Sequence, residues 1–179
     1  MPKLVDVEQE RTAILDRCLE LFARQGYGLV RMRELADAVG VSTGKLYHYF
    51  PDKRSIADAL LAHVGLADVA EAQRRISPGA SRRERLGLLG AFVCERRDRL
   101  GVTLLLALDH RRIEGGDTAR DALRVYRAAL TDQIGGDDEV LFSVLIGMII
   151  RGVLDPDGVD IDRHLAWLEA QAGHPDGPL

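Results

Sequence analysis

The tightest constraint on this chain is a pair of short helical patterns joined by a tight, glycine-containing turn. Met32, Leu35, Ala36 and Val39 repeat at the i, i+3, i+4, i+7 spacing of one helical face. Gly40 ends that segment, as a residue tolerant of left-handed backbone does. Ser42 is placed to cap the next helix by accepting a backbone N–H. That helix spans about Thr43–Tyr49, and Pro51 closes it, because the residue before proline disfavours helical backbone. Two short helices on a tight turn form a helix-turn-helix, and Leu46 and Phe50 are the apolar residues that anchor the second of them.

Helical periodicity continues on both sides. Ile14, Leu15, Cys18, Leu19 and Phe22 form one face of a first helix over about Val7–Gln25, stopped by Gly26. A long fourth helix runs from about Asp52, with Ile56, Leu60, Val64 and Ala67 on one side. The composition breaks at Ile76-Ser77-Pro78-Gly79-Ala80. Ser81-Arg82-Arg83-Glu84 then reads as a capping box opening helix five. Helix six is the apolar run Val102–Leu108, ending near Gly115-Gly116. Thr118-Ala119-Arg120-Asp121 is a second capping-box pattern, opening helix seven. Helix eight spans about Asp137–Leu154 and helix nine about Asp160–Ala172.

Aromatic residues are only 5 % of the chain and long alternating β-branched runs are absent, which argues against a sandwich or barrel. The fold class expected is all-α with about nine helices. Residues 1–52 form an N-terminal three-helix helix-turn-helix domain; residues 53–179 form a helical regulatory and dimerisation domain, with helix four as connector.

Charge is distributed unevenly. The chain carries −4 in total, yet Arg24 to Arg54 holds six cations against three acids, while Asp155 to Leu179 holds six acids and only Arg163. A basic patch on an acidic protein suits a DNA contact confined to one end. The second helix of a helix-turn-helix enters the major groove with its N-terminal residues on base edges. Gly44 lets the backbone approach closely. Lys45 can donate to guanine O6 or N7, and Thr43 can meet a phosphate or a thymine methyl. Tyr47, His48 and Tyr49 offer donors to phosphate oxygens, and Lys53 adds a cation beside the backbone. On an arbitrary helix Lys45 and Lys53 would be solubilising surface residues, Tyr47 a packing residue and His48 merely solvated; the helix-turn-helix frame favours contacts.

The run Leu35-Ala36-Asp37-Ala38-Val39-Gly40-Val41-Ser42-Thr43-Gly44-Lys45-Leu46-Tyr47-His48-Tyr49-Phe50-Pro51-Asp52-Lys53, with Ile14-Leu15, Leu21-Phe22 and Gly26-Tyr27 before it, resembles the DNA-binding domain of TetR-family regulators over about Ile14–Leu60. The resemblance implies a nine-helix homodimer on double-stranded operator DNA. It implies base contacts near Thr43–Lys45 and phosphate contacts from Tyr47, Tyr49 and Lys53. The chain departs from the family at Arg31, where threonine usually caps the second helix and touches a phosphate. Arginine cannot accept the capping bond but can hold a phosphate by charge. Arg31, Ser42, Thr43, Gly44, Lys45, Tyr47, His48, Tyr49 and Lys53 are therefore the candidate interface.

A single small helix-turn-helix binds weakly, and pairing two raises avidity. Leu141, Val144, Leu145 and Met148 form a wide apolar face on helix eight, with Gly147 and Gly152 allowing close approach. Ile161, Leu165 and Leu168 add a stripe on helix nine, and Trp167 is a candidate interface anchor. These faces read either as a dimer interface or as monomer core; the family, whose last two helices bundle with the partner, favours the interface. The resemblance also implies a cavity for a small apolar ligand. Phe92, Leu104, Leu108, Tyr126 and Met148, with His110 as a polar group, are candidates to line it or simply to be core.

The five histidines show no metal-ligand spacing, and neither a phosphate loop nor a nucleophile elbow is present. Cys18 and Cys94 read as free buried thiols in a reducing compartment. No cofactor, metal or catalysis is expected. Nor is a membrane span, since the most apolar stretch, Val140–Leu154, falls short of the roughly 20 residues needed. A cytoplasmic repressor released from a palindromic operator by a small apolar ligand is the favoured reading. The alternative is a helix-turn-helix regulator with no small-molecule input, controlled by a protein partner.

Overall fold

The computed structural model describes residues 4–135, 139–155, 163–164, 166–167 and 170. Among them the chain is all-helical, with eight helices of defined extent: α1 (Leu4–Gln25), α2 (Met32–Val39), α3 (Thr43–Tyr49), α4 (Lys53–Arg75), α5 (Arg82–Glu95), α6 (Arg97–Glu114), α7 (Thr118–Ile134) and α8 (Glu139–Leu154). The expected ninth helix falls largely outside the described residues, as do Ile161, Leu165 and Leu168.

Two compact units emerge. The first joins the described residues up to Leu66 with Val102–Leu123; the second joins Ala67–Gly101 with the described residues from Arg124 onward. Helices α4, α6 and α7 each contribute residues to both.

In the first unit, α1 and α2 pack together and α2 packs on α3. Their shared core holds Ile14, Cys18, Phe22, Leu35, Ala36, Leu46 and Phe50, extended by Ile56, Leu60 and Val64 of α4. Helices of seven and eight residues are unstable alone in water, so α3 and α2 depend on this burial and on their ends. Cys18 is buried, which pushes its thiol up to about 12 and keeps it protonated, so it serves as core. Cys94 is only half-buried, short of the expectation.

The turn between α2 and α3 is set by Gly40, whose backbone is left-handed at φ 80° and ψ 31°. Its N–H reaches Ala36 O at 3.0 Å, and the Val41 N–H also reaches Ala36 O at 3.0 Å, closing a Schellman motif. The Arg17 guanidinium of α1 donates to Val39 O at 2.8 Å, giving a carbonyl at the end of α2 its partner and placing a cation at the negative end of the helix dipole.

In the second unit α8 packs on α5. The Ser81–Glu84 capping box forms as read from sequence, with Ser81 N–H donating to Glu84 Oε2 at 2.7 Å and Glu84 N–H to Ser81 Oγ at 3.3 Å. Buried Asp68 accepts from the Tyr126 hydroxyl at 2.8 Å and lies 3.5 Å from Arg99 Nε. A carboxylate of Glu71 accepts from both Arg75 and Arg96. At Gly101 an added Cβ would overlap Val153 of α8, so only glycine lets these helices meet there.

Three local expectations change. Helix six starts at Arg97 rather than Val102, because α5 ends at Glu95 and a single residue, Arg96 at φ −102° and ψ 8°, separates the two helices. Thr118 lies inside α7, and its hydroxyl donates to Asp58 Oδ1 of α4 at 2.6 Å instead of capping. Gly152 is buried against the Arg97 side chain rather than open to a partner.

Gly40→Ala forces a Cβ into left-handed backbone, and it should lower unfolding free energy by about 1–2 kcal/mol, read from the urea midpoint.

Candidate nucleic-acid interface

The α3 helix is fixed at both ends and on one side. Ser42 adopts extended backbone, and its hydroxyl accepts the Lys45 N–H at 3.1 Å. Phe50 leaves the helix at φ −140° while its N–H still bonds Leu46 O at 2.9 Å. Leu46 and Phe50 are fully buried and turn one face of α3 inward. The opposite face is open: Gly44, Lys45, Tyr47 and His48 are exposed, with Ser42 just before them. Nothing stands within 4 Å of a Cβ built on Gly44, so the backbone there is accessible to a large partner. Thr43 and Tyr49 are half-buried.

Arg31 is exposed at the start of α2, and its side chain does not cap the helix, since guanidinium has no acceptor. Glu34 takes part of that task, accepting the Arg31 N–H at 2.8 Å. Its position three residues on was the available signal.

Lys53 is more tied down than its sequence position suggests. Its ammonium donates to Tyr27 O at 2.8 Å, lies 3.4 Å from Gly28 O, and sits 4.4 Å from the centroid of the buried Tyr27 ring. It therefore braces the α1–α2 loop, with one of its three donors left over. Tyr27 in turn donates to Glu114 of α6 at 2.8 Å.

Sequence reasoning missed Glu10. This α1 side chain accepts from Lys45 Nζ, and its other oxygen accepts from the Tyr49 hydroxyl at 2.5 Å. These two bonds, Lys45 first, hold its carboxyl below the usual carboxylate range, so it stays anionic. No spacing rule links residues 35 positions apart, so the sequence carried no signal for it.

The interior candidates divide between the units. Phe92 and Met148 are buried in the second unit, and Tyr126 is half-buried there. Leu104 and His110 belong to the first: Leu104 is half-buried and His110 fully so, its Nε2 3.2 Å from Asp58 Oδ1 and its ring edge-on to Tyr27. Leu108 is 54 % exposed, which removes it from any interior lining; helical spacing carries it to the outer side of α6. Leu141, Leu145 and Met148, expected on a partner-facing side, are buried within the single chain. Val144 is half-buried, and Trp167 is exposed.

Among the described residues, no group of three His, Cys, Asp or Glu side chains is placed to hold a metal, and no helix is long and apolar enough to cross a membrane.

A capped, seven-residue helix with one buried face and one open polar face, held on a second short helix by a glycine turn, is the geometry of a helix-turn-helix. Residues 14–60 match the family described as bacterial regulatory proteins, tetR family. The HTH-type transcriptional repressor KstR2 of Rhodococcus jostii is 43 % identical over 51 residues, 28 % of this chain and only a quarter of that protein. KstR2 of Mycobacterium tuberculosis is 26 % identical over 185 aligned positions, covering 97 % of this chain and 86 % of that protein. The transcriptional regulator FadR from Bacillus subtilis, solved in complex with stearoyl-CoA, superimposes with a TM-score of 0.67 at 20 % identity, over 89 % of this chain and 96 % of that one. The likeness to the tetR family is therefore carried by the helix-turn-helix end, residues 14–60.

Ser42→Ala removes the acceptor that caps α3 and should reduce stability by about 1 kcal/mol in urea unfolding. Operator affinity should fall with it, because α3 has no spare length over which to fray.

Proposed function

We propose that this protein is a cytoplasmic transcriptional repressor that grips a palindromic operator with two copies of α3 and lets go when a small apolar ligand binds. The observation that carries the DNA part is the open face of α3, with Gly44, Lys45, Tyr47 and His48 outward while Leu46 and Phe50 are sealed inward. Lys45 reads a base edge, and Arg31, Tyr47 and Lys53 set affinity through phosphates.

The pairing surface lies on α8, on a different side from the one its sequence first suggests. Val140, Ser143, Gly147, Ile150 and Leu154 are all exposed and recur at alternating spacings of three and four. That is the seam spacing of paired helices, and Ser143 and Gly147 let a second α8 come close. A second copy of the chain is the occupant, since operator symmetry mirrors protein symmetry. Trp167 adds an exposed aromatic.

The ligand part rests on the second unit, where Phe92, Tyr126 and Met148 provide apolar surface. A solved relative in fold, the Bacillus subtilis FadR, holds stearoyl-CoA, which supports an acyl-type or similarly apolar effector for this chain. Release requires that the ligand bind the DNA-free conformation more tightly than the DNA-bound one.

Footprinting on the intergenic DNA beside its own gene, with and without acyl-CoA esters, tests the whole reading: a protected inverted repeat that disappears with ligand supports it, and absence of protection contradicts it. Lys45→Ala should cost about 1–3 kcal/mol on the operator and far less on random duplex. Lys53→Ala should weaken both and flatten the salt slope by about 1 per protomer. Equal loss on both duplexes for Lys45→Ala would remove its base-reading role. Ile150→Glu should yield a monomer by sedimentation at micromolar concentration, with unchanged helical circular dichroism.

A further inference from the structure

The recognition helix carries a single lysine or arginine, Lys45, and that cation does not face solvent alone. Glu10 of α1 meets it, and the same carboxylate accepts the Tyr49 hydroxyl at 2.5 Å. Two of the α3 groups nominated for DNA thus share one acidic acceptor. The side chains of Lys45 and Glu10 are 46 % and 35 % exposed, so the pair stands at the surface where a duplex would approach.

We propose that Glu10 is a specificity-determining residue: it competes with DNA phosphate for Lys45 and Tyr49, and thereby suppresses binding to unrelated sequence more than binding to the operator. This rests on α3 being the DNA-reading helix.

Random and operator DNA offer Lys45 different things in exchange for Glu10. Sequence-independent binding is driven by phosphates displacing their condensed counterions onto protein cations. A lysine already neutralised by a carboxylate contributes little to that exchange, because one anion only replaces another. A tyrosine hydroxyl has one hydrogen to donate, and here it is committed to Glu10. The Glu10 charge also repels phosphate directly. Random duplex therefore gains almost nothing from Lys45 or Tyr49 while Glu10 holds them. The operator adds what random DNA lacks: guanine O6 and N7 at the position Lys45 reaches. That added bond makes leaving Glu10 worthwhile only at the right sequence. Penalising the wrong partner is a recognised route to specificity.

The test compares wild type, Glu10→Gln, Lys45→Ala and the double variant. Each is titrated by fluorescence anisotropy on two 40-base-pair duplexes, one selected by the wild-type protein from a randomised library and one with the same bases scrambled. Salt is varied from about 50 to 200 mM, the range over which phosphate contacts dominate the change in affinity. Glu10→Gln should bind the scrambled duplex roughly three- to tenfold more tightly, with a salt slope steeper by about 0.9 per protomer. The selected duplex should gain less, so the ratio of the two affinities falls. In the double variant the gain on scrambled DNA should be much smaller, because only the Tyr49 hydroxyl and the relief of repulsion remain to supply it. Thermal unfolding of each variant is recorded alongside, and Glu10→Ala serves as the second variant should the glutamine form fold poorly.

If Glu10→Gln leaves scrambled-duplex affinity and slope unchanged, or if the gain persists undiminished without Lys45, the proposal is overturned. A Lys45→Ala variant that still loses selected-duplex affinity would then leave the role of α3 standing. A Lys45→Ala variant unchanged on both duplexes would instead overturn that role, and the proposal with it.

Discussion

Everything the DNA-reading end can do follows from the burial of Leu46 and Phe50 beneath a helix of only seven residues. Such a helix has no stability of its own to draw on. Packing of those two side chains against α1 and α2 fixes its rotation, and the Ser42 cap and the Gly40 turn fix where it begins. Once rotation and start are set, the remaining side chains have no choice of direction. Gly44, Lys45, Tyr47 and His48 are outward because Leu46 and Phe50 are inward.

The residues around α3 are less independent than their exposure suggests. Lys53 is folded back onto the Tyr27 carbonyl and ring, and Lys45 and Tyr49 converge on Glu10. On the proposed function, each of these cations has two roles to balance: it holds the scaffold in the free protein and is given up to DNA in the complex. Lys53 joins α4 to the α1–α2 loop, and the same loop is joined to α6 through Tyr27 and Glu114. Within the first unit, a change at α4 or α6 reaches the helix-turn-helix through these bonds.

How far the sequence disclosed this depended on how local each signal was. The end of α2 and the approximate bounds of α3 were legible because Gly40, Ser42 and Pro51 act on their own neighbours. The Ser81 box was legible for the same reason. The break between α5 and α6 was not, because Arg96 carries no turn chemistry and is held by Glu71 from another helix. The orientation of α8 was also hidden. Nearly every position from Val140 to Ile150 is apolar, so periodicity cannot say which side packs on α5. Leu141, Leu145 and Met148 went inward, leaving the Val140–Gly147–Leu154 side outward. The Glu10 contact was beyond any spacing argument, since it joins side chains that only the fold brings together.

The proposed function places α3 in the major groove, twice per assembly. Dimethyl sulphate probing of the selected duplex reads this directly, because it methylates guanine N7 in the major groove and adenine N3 in the minor groove. Guanine N7 should be protected in two half-sites one helical turn or a multiple of it apart, with adenine N3 between them unprotected. Protection confined to adenine N3, or to a single half-site at saturating protein, would contradict it.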